Sequence, residues 1–296
     1  MKASRSEFVE IRGLRHHIRR WGSLGSPKLF MLHGWMDMSA TFQFLVNELE
    51  GDWDIIAPDW SGFGLSDWSS GGYSLLHYCA FLDAMLQLYS PDEPVRVVAH
   101  SMGANISNLY FGARPKRLLR FVNIEGYAPI PGFFEGSLGS NIARWLDHAH
   151  QPSATRSYPS YAELAHRLRE SNSRLSPERA EFLASHLGIR RENGQIEVAA
   201  DPGARFVSPV SLHRDQAMEL WREIDAPVLC IRGERSFVSR AFEGCAADLD
   251  ERLACLSNGR EELIPNGTHN LHHEQPELLA RLIEPFLSSA PASSAC

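Results

Sequence analysis

The chain has 296 residues, 44% of them apolar and 22% charged, and carries a formal charge of −7. That length suits one large α/β domain or one domain with an insertion, and the balance excludes a disordered chain. The acidic charge argues against nucleic acid or an anionic membrane as partner.

No apolar stretch stands behind Met1-Lys2-Ala3-Ser4-Arg5-Ser6-Glu7, and no run approaches the length of a membrane span. Neither a secretory leader nor a transmembrane helix is therefore expected. Five cysteines (Cys79, Cys230, Cys245, Cys255 and Cys296) have no paired spacing. This disfavours a disulfide framework or a zinc ribbon and points to a reducing, cytoplasmic setting. Cys230 lies in an apolar run and reads as core packing.

In chain order, the basic run over residues 14–20 reads as an early strand with a solvated face rather than as a nucleic-acid patch. Short apolar runs follow at residues 28–32, 54–57, 95–99 and 121–124. Helical patterns lie between them over about 39–50, 75–89 and 102–113. Residues 127–222 break that rhythm, with aromatic and Gly/Pro punctuation, helix-like stretches near 160–171 and 176–187, and a polar turn at Asn193-Gly194. Buried-strand runs return at 227–232 and 262–264, followed by an amphipathic helix over 275–287 and a Ser/Ala/Pro-rich, frayed tail. The alternation predicts a mainly parallel sheet flanked by helices. The expected organisation is a core in two parts, 1–126 and 223–296, with a largely helical cap inserted over 127–222.

Chemistry concentrates in three places. Val97-Val98-Ala99-His100-Ser101-Met102-Gly103-Ala104 follows a strand and opens a helix, a small-x-Ser-x-Gly elbow that presents a serine hydroxyl above the sheet. A strained backbone at the serine demands small neighbours two positions away, which Ala99 and Gly103 supply. Ser-x-Gly before a helix also reads as an N-cap, but the strand-register residues in front of it favour the elbow. Leu32-His33-Gly34-Trp35-Met36-Asp37 ends the first central strand in a Gly turn. The third place is the loop Pro265-Asn266-Gly267-Thr268-His269-Asn270-Leu271-His272-His273, between the last strand and the last helix. Asp59-Trp60-Ser61-Gly62-Phe63-Gly64-Leu65-Ser66-Asp67 lacks the Lys and helix of a phosphate loop and reads as structural.

Together these motifs resemble the α/β-hydrolase superfamily over nearly the whole chain. His33-Gly34-Trp35, Ile124-Glu125-Gly126, Arg169-Glu170-Ser171-Asn172, Asp201-Pro202 and Arg214-Asp215 look like its serine hydrolase-like subgroup, generally taken as esterase-like. Ala99 and Ala104 depart from the usual glycines. The resemblance implies Ser101 as nucleophile, His269 as general base, and the N–H groups of Trp35 and Met102 as oxyanion donors. His272 and His273 are expected to be packing or surface residues. A metal site from His269 and His272 ranks far lower, because no acidic or Cys ligand pattern supports it.

The acid is the open member. Many relatives carry it in a Gly-Glu-x-Asp turn, where this chain has Gly233-Glu234-Arg235-Ser236. The fold's other position for it, the end of the strand after the nucleophile helix, holds Glu125. Glu125 is the assignment, Glu234 the runner-up, and a cap-hinge ion pair the structural alternative for Glu125.

The expected function is a cofactor-free, metal-free hydrolysis of small apolar or aryl/acyl esters through an acyl-enzyme, by a monomer or homodimer. Trp35, Phe42, Tyr127, Phe133, Phe134 and Trp145 are candidates to line an apolar pocket. Carbon–carbon hydrolase, lactonase, thioesterase and slow-turnover receptor readings share the same triad. A near-neutral imidazole predicts that activity falls with pH between about 8 and 5.

Overall fold

The computed structural model of the chain describes residues 1–132, 137–151, 155–205 and 212–289. Its first half comprises β1 (Ser4–Ile11), β2 (Leu14–Trp21), β3 (Lys28–Leu32), α1 (Gln43–Glu48), β4 (Asp54–Pro58), α2 (Leu75–Tyr89), β5 (Val95–His100), α3 (Met102–Ala113) and β6 (Leu118–Ile124). The intervening segment carries α4 (Leu138–His150), β7 (Ser157–Tyr158), α5 (Tyr161–Ser171), α6 (Pro177–Leu187), β8 (Gly188–Arg190), β9 (Ile196–Val198) and α7 (Arg214–Arg222). The chain then forms β10 (Val228–Gly233), α8 (Phe237–Ala241), α9 (Ala246–Leu253), β11 (Gly259–Ile264), α10 (Leu271–Glu274) and α11 (Pro276–Ser288).

Eight strands form one sheet in the order β1-β2-β4-β3-β5-β6-β10-β11. The strands from β4 to β11 in that order run parallel, while β1 and β2 pair antiparallel at one edge. Side chains alternate between two cores. Val97 and Ala99 face one and Val98 the other; Phe30 and Leu32 oppose Leu29 and Met31 in the same way. Burial on both faces is why these strands are continuous apolar runs rather than alternating ones. Cys230 is fully buried in one of these cores.

The chain leaves β3 for β4 on one side and returns to β5 on the other. The carboxyl ends of β3 and β5 therefore form a topological switch point, where open parallel sheets bind ligands. The loop after β3 and the serine elbow after β5 meet there.

One expectation is corrected. The basic strand β2 has no solvated face, because His16, His17 and Arg20 are buried along with Ile18 and Trp21. Arg20 and His17 find partners within the fold: Arg20 Nη2 lies 2.5 Å from Asp54 Oδ1, and His17 Nδ1 lies 2.8 Å from Asp59 Oδ2. Residues 127–222 also contain a small sheet, β7-β9-β8, turned at Asn193-Gly194 with Gly194 at φ 81°. Its strands are two or three residues long, too short for a two-residue periodicity to register. Leu164, Leu183 and Ile196 from this segment pack with Met38, Ala40 and Phe44 in a third core. Among the described residues, no helix is long and apolar enough to cross a membrane.

Candidate active site

Ser101 stands between β5 and α3 at φ 50°, ψ −114°, a conformation that costs an L-residue free energy and persists only where its surroundings impose it. They do so from both sides: its N–H donates to the Ile124 carbonyl at 2.8 Å, and its carbonyl accepts from Asn105 N–H at 2.9 Å. Gly103 lets α3 lie against the end of β3, since a Cβ there would stand 2.4 Å from the Leu32 carbonyl oxygen. Ala104 is fully buried, and its methyl fills the space beside Gly126, where an added Cβ would meet it at 2.3 Å.

The three residues expected to act together are brought together. His269 Nε2 lies 2.9 Å from Ser101 Oγ, and His269 Nδ1 lies 3.1 Å from Glu125 Oε2. Glu125 sits at φ 63°, in a turn clamped by Asn123. The Asn123 amide accepts from Gly126 N–H at 2.8 Å and donates to the Gly126 carbonyl at 2.9 Å. The other Glu125 oxygen accepts from Gly233 N–H at 2.5 Å, and the nearby Ser236 hydroxyl favours the ionised form of the same carboxyl. Ser236 thus supports Glu125 from the position where many relatives place an Asp. Glu234 instead accepts from Asn266 N–H at 2.7 Å, holding the backbone of the loop that delivers His269.

Burial pushes the Glu125 carboxyl up to about 8, against the Gly233 bond and the Ser236 hydroxyl. Burial also lowers His269 to about 4. Both shifts favour uncharged forms. A neutral His269 keeps a lone pair for the serine proton, and the near-neutral value expected from sequence is displaced downward.

Met102 is the first residue of α3, where helical N–H groups have no partner within the helix and the dipole favours negative charge. Trp35 N–H is aimed by His33, a residue whose part was not foreseen. His33 Nδ1–H donates to the Gly34 carbonyl at 2.7 Å, and its Nε2 accepts from Trp60 N–H at 3.0 Å. Carbonyl and N–H point to opposite sides of a trans peptide, so fixing the Gly34 oxygen fixes the Trp35 N–H. Burial lowers the His33 pKa, consistent with one nitrogen donating and one accepting.

Asp59 is structural, as expected: it accepts from Ser39 N–H at 2.6 Å and Leu65 N–H at 2.9 Å, besides its His17 contact. Burial alone would raise its pKa, but the His17 contact, with His33 and the Leu65 N–H, outweighs it and holds Asp59 at about 2. His272 and His273 are buried packing residues that share the Thr41 hydroxyl. The aromatic expectation is partly corrected. Phe42 and Tyr127 are fully buried core residues, the latter donating to Glu261 at 2.8 Å. Phe133 and Phe134 lie outside the described residues, Trp145 is half-buried and Trp35 is exposed. Phe237, missed in the sequence because nothing marks it, stands 4.4 Å from the His269 ring.

The intervening segment is tied to this floor. Trp35 Nε1–H donates to the Ala204 carbonyl at 2.9 Å, Tyr73 hydroxyl to Asp201 at 2.6 Å, and Gly64 N–H to the Ala199 carbonyl at 2.8 Å. Asn172 donates to Glu274 at 2.9 Å, and Glu274 accepts from Thr268 N–H next to His269.

A serine on a strained elbow at a parallel-sheet switch point, followed in chain order by an acid and a histidine, defines a class. The chain belongs to the α/β-hydrolase fold family, whose model matches residues 27–276. Among its relatives is the zebrafish (Danio rerio) serine hydrolase-like protein, 24% identical over 97% of this chain and 90% of that one. The human serine hydrolase-like protein 2 is 26% identical over 91% of this chain and 89% of that one. Among solved structures, a thioesterase domain from the curacin biosynthetic pathway superposes with a TM-score of 0.84 at 26% identity, covering 95% of this chain and 99% of that one.

Proposed function

We propose that this protein is a cofactor-free serine hydrolase that cleaves carboxylic esters through an acyl-enzyme. The observation that carries the reading is the hydrogen-bonded series Ser101 Oγ, His269 Nε2, His269 Nδ1 and Glu125 Oε2, at 2.9 and 3.1 Å. In this reading Ser101 Oγ attacks the ester carbonyl while His269 takes its proton. The oxyanion accepts from the N–H groups of Trp35 and Met102, each donor contributing roughly 3 kcal/mol to the transition state. His269 then protonates the departing alkoxide as the C–O bond breaks. Water repeats the sequence on the acyl-serine. Glu125 orients the imidazole and balances its transient charge.

Residues 127–222 act as a cap over the switch point, and the bonds from Trp35, Tyr73 and Gly64 support a cap seated on its floor. Exposed Trp35 and Phe237 beside His269 favour small apolar acyl or aryl groups. A thioester substrate is a second reading, supported by the likeness to the curacin-pathway thioesterase domain, and it needs no change in the machinery. Steady-state turnover of p-nitrophenyl acetate, butyrate and octanoate beside the matching acyl thioesters tests both. Turnover of the oxygen esters with a pre-steady-state burst is expected. Turnover of thioesters alone replaces the first reading with the second. Turnover of neither leaves a ligand-binding protein on a hydrolase fold.

A further inference from the structure

Behind the triad, two buried imidazoles hold nitrogens with nothing to bond. Nδ1 of His100 and Nδ1 of His272 have no hydrogen-bond partner and no contact with solvent, and the two rings are 3% and 0% exposed. The rings stand 4.4 Å apart. Asp37, from the loop after β3, completes the group. Its Oδ2 lies 3.9 Å from His272 Nε2, the nitrogen that also meets the Thr41 hydroxyl at 2.9 Å, and one ligand atom from each of Asp37, His100 and His272 lies within 4.8 Å of the others. The Asp37 side chain is 16% exposed, which gives the group an opening to solvent. The carboxylate that a sequence reading of His269 and His272 lacked comes from a distant part of the chain.

Two imidazoles and one carboxylate are the protein donors of a zinc site with an open fourth position. We propose that Asp37, His100 and His272 bind a zinc-class divalent transition ion, and that the bound ion slows the enzyme by restraining its catalytic histidine. Metal–ligand bonds of about 2.1 Å put tetrahedral ligand atoms about 3.4 Å apart, so the ion draws Asp37 inward on its partly exposed loop. His100 is the link to the site. Its Nε2–H donates to the backbone carbonyl of His269 at 2.9 Å, which leaves Nδ1 as its free lone pair. Ligating that nitrogen keeps the Nε2–H bond but ties the His269 backbone to the ion. No step of ester cleavage uses the metal, so the bound ion acts on the reaction only through the His269 backbone.

The test is titration of the full-length protein with Zn²⁺ by calorimetry and with Co²⁺ by visible absorption, the variants being checked for folding by thermal unfolding without metal. One ion per chain is expected, with the intense bands of four-coordinate cobalt. Asp37→Asn and His272→Gln should each weaken binding on the order of 100-fold, whereas His269→Ala retains it. Hydrolysis of p-nitrophenyl butyrate should fall with the same Zn²⁺ midpoint and recover with EDTA. Wild-type affinity in a folded Asp37→Asn variant overturns the proposal, as does the absence of a stoichiometric ion. Loss of binding in His269→Ala also overturns it, by placing the ion on the catalytic base. The binding readout is independent of the hydrolase reading, so tight binding without turnover would count against that reading alone.

Discussion

Glu125, at the end of β6, reaches the backbone N–H of Gly233 at the end of β10, with Oε1 2.5 Å from that nitrogen. Its second oxygen faces His269, and the turn that supports it carries Ser236. One strand supplies the acid and the other the groups that hold it.

This relationship predicts that the acid can be moved. Glu125→Gln should lose roughly 10³–10⁴-fold in kcat, the scale seen when a triad acid becomes an amide, while Glu234→Gln stays close to wild type. Adding Ser236→Asp to Glu125→Gln should restore part of the loss. Esterase kinetics on the three variants check it, and greater loss in Glu234→Gln contradicts it.

The same carboxyl is a stability cost. Its folded pKa, about 8, is above the ordinary 4.5. The unfolded chain therefore ionises Glu125 first, and stability is lost as pH rises from about 4.5 through about 8. Glu125→Gln carries no such charge. Its melting temperature should rise relative to wild type across that window and level off above it; a difference that does not change with pH refutes this.

The rate should follow the same two groups. His269 remains a free base down to about pH 4, so the acid limb lies well below the ordinary 6.5. As Glu125 ionises toward pH 8, the imidazolium formed during attack gains its counter-charge, and kcat/KM rises. The profile of kcat/KM from pH 4 to 9 should show that alkaline rise in wild type and not in Glu125→Gln. A limb centred on 6.5 argues against it.

In the proposed mechanism His33 positions the oxyanion donor, the N–H of Trp35. His33→Ala should lower kcat roughly 10²–10³-fold, the scale of a lost oxyanion donor, with little change in KM. His33→Asn, whose amide reaches as far as Nδ1, should recover part of it. A change confined to KM would assign His33 to substrate binding.

The motif-bearing parts of the fold were legible because their local physics is distinctive. Helices at Leu75–Tyr89 and Met102–Ala113 match the 75–89 and 102–113 patterns, and the parallel strands announce themselves as apolar runs buried on two faces. The elbow and the Gly-x-His loop have spacings that few other structures need. What escaped was long-range or short. The β1–β2 hairpin turns on Arg12 and Gly13 at positive φ, without the Asn-Gly or Asp-Gly pair that flags such turns. Ser236 was visible as a missing Asp, but its support of Glu125 exists only once β6 and β10 pair. Phe42 and Tyr127 were expected at a pocket and lie in the core, because aromatic identity does not say which face of the sheet a side chain joins.

The measurement closest to the central claim is intact mass after treatment with a fluorophosphonate, on wild type, Ser101→Ala, Glu125→Gln and Glu234→Gln. A single adduct on wild type, absent from Ser101→Ala, much slowed in Glu125→Gln and unchanged in Glu234→Gln is the predicted result. No adduct on wild type, or one that persists in Ser101→Ala, contradicts Ser101 as the nucleophile.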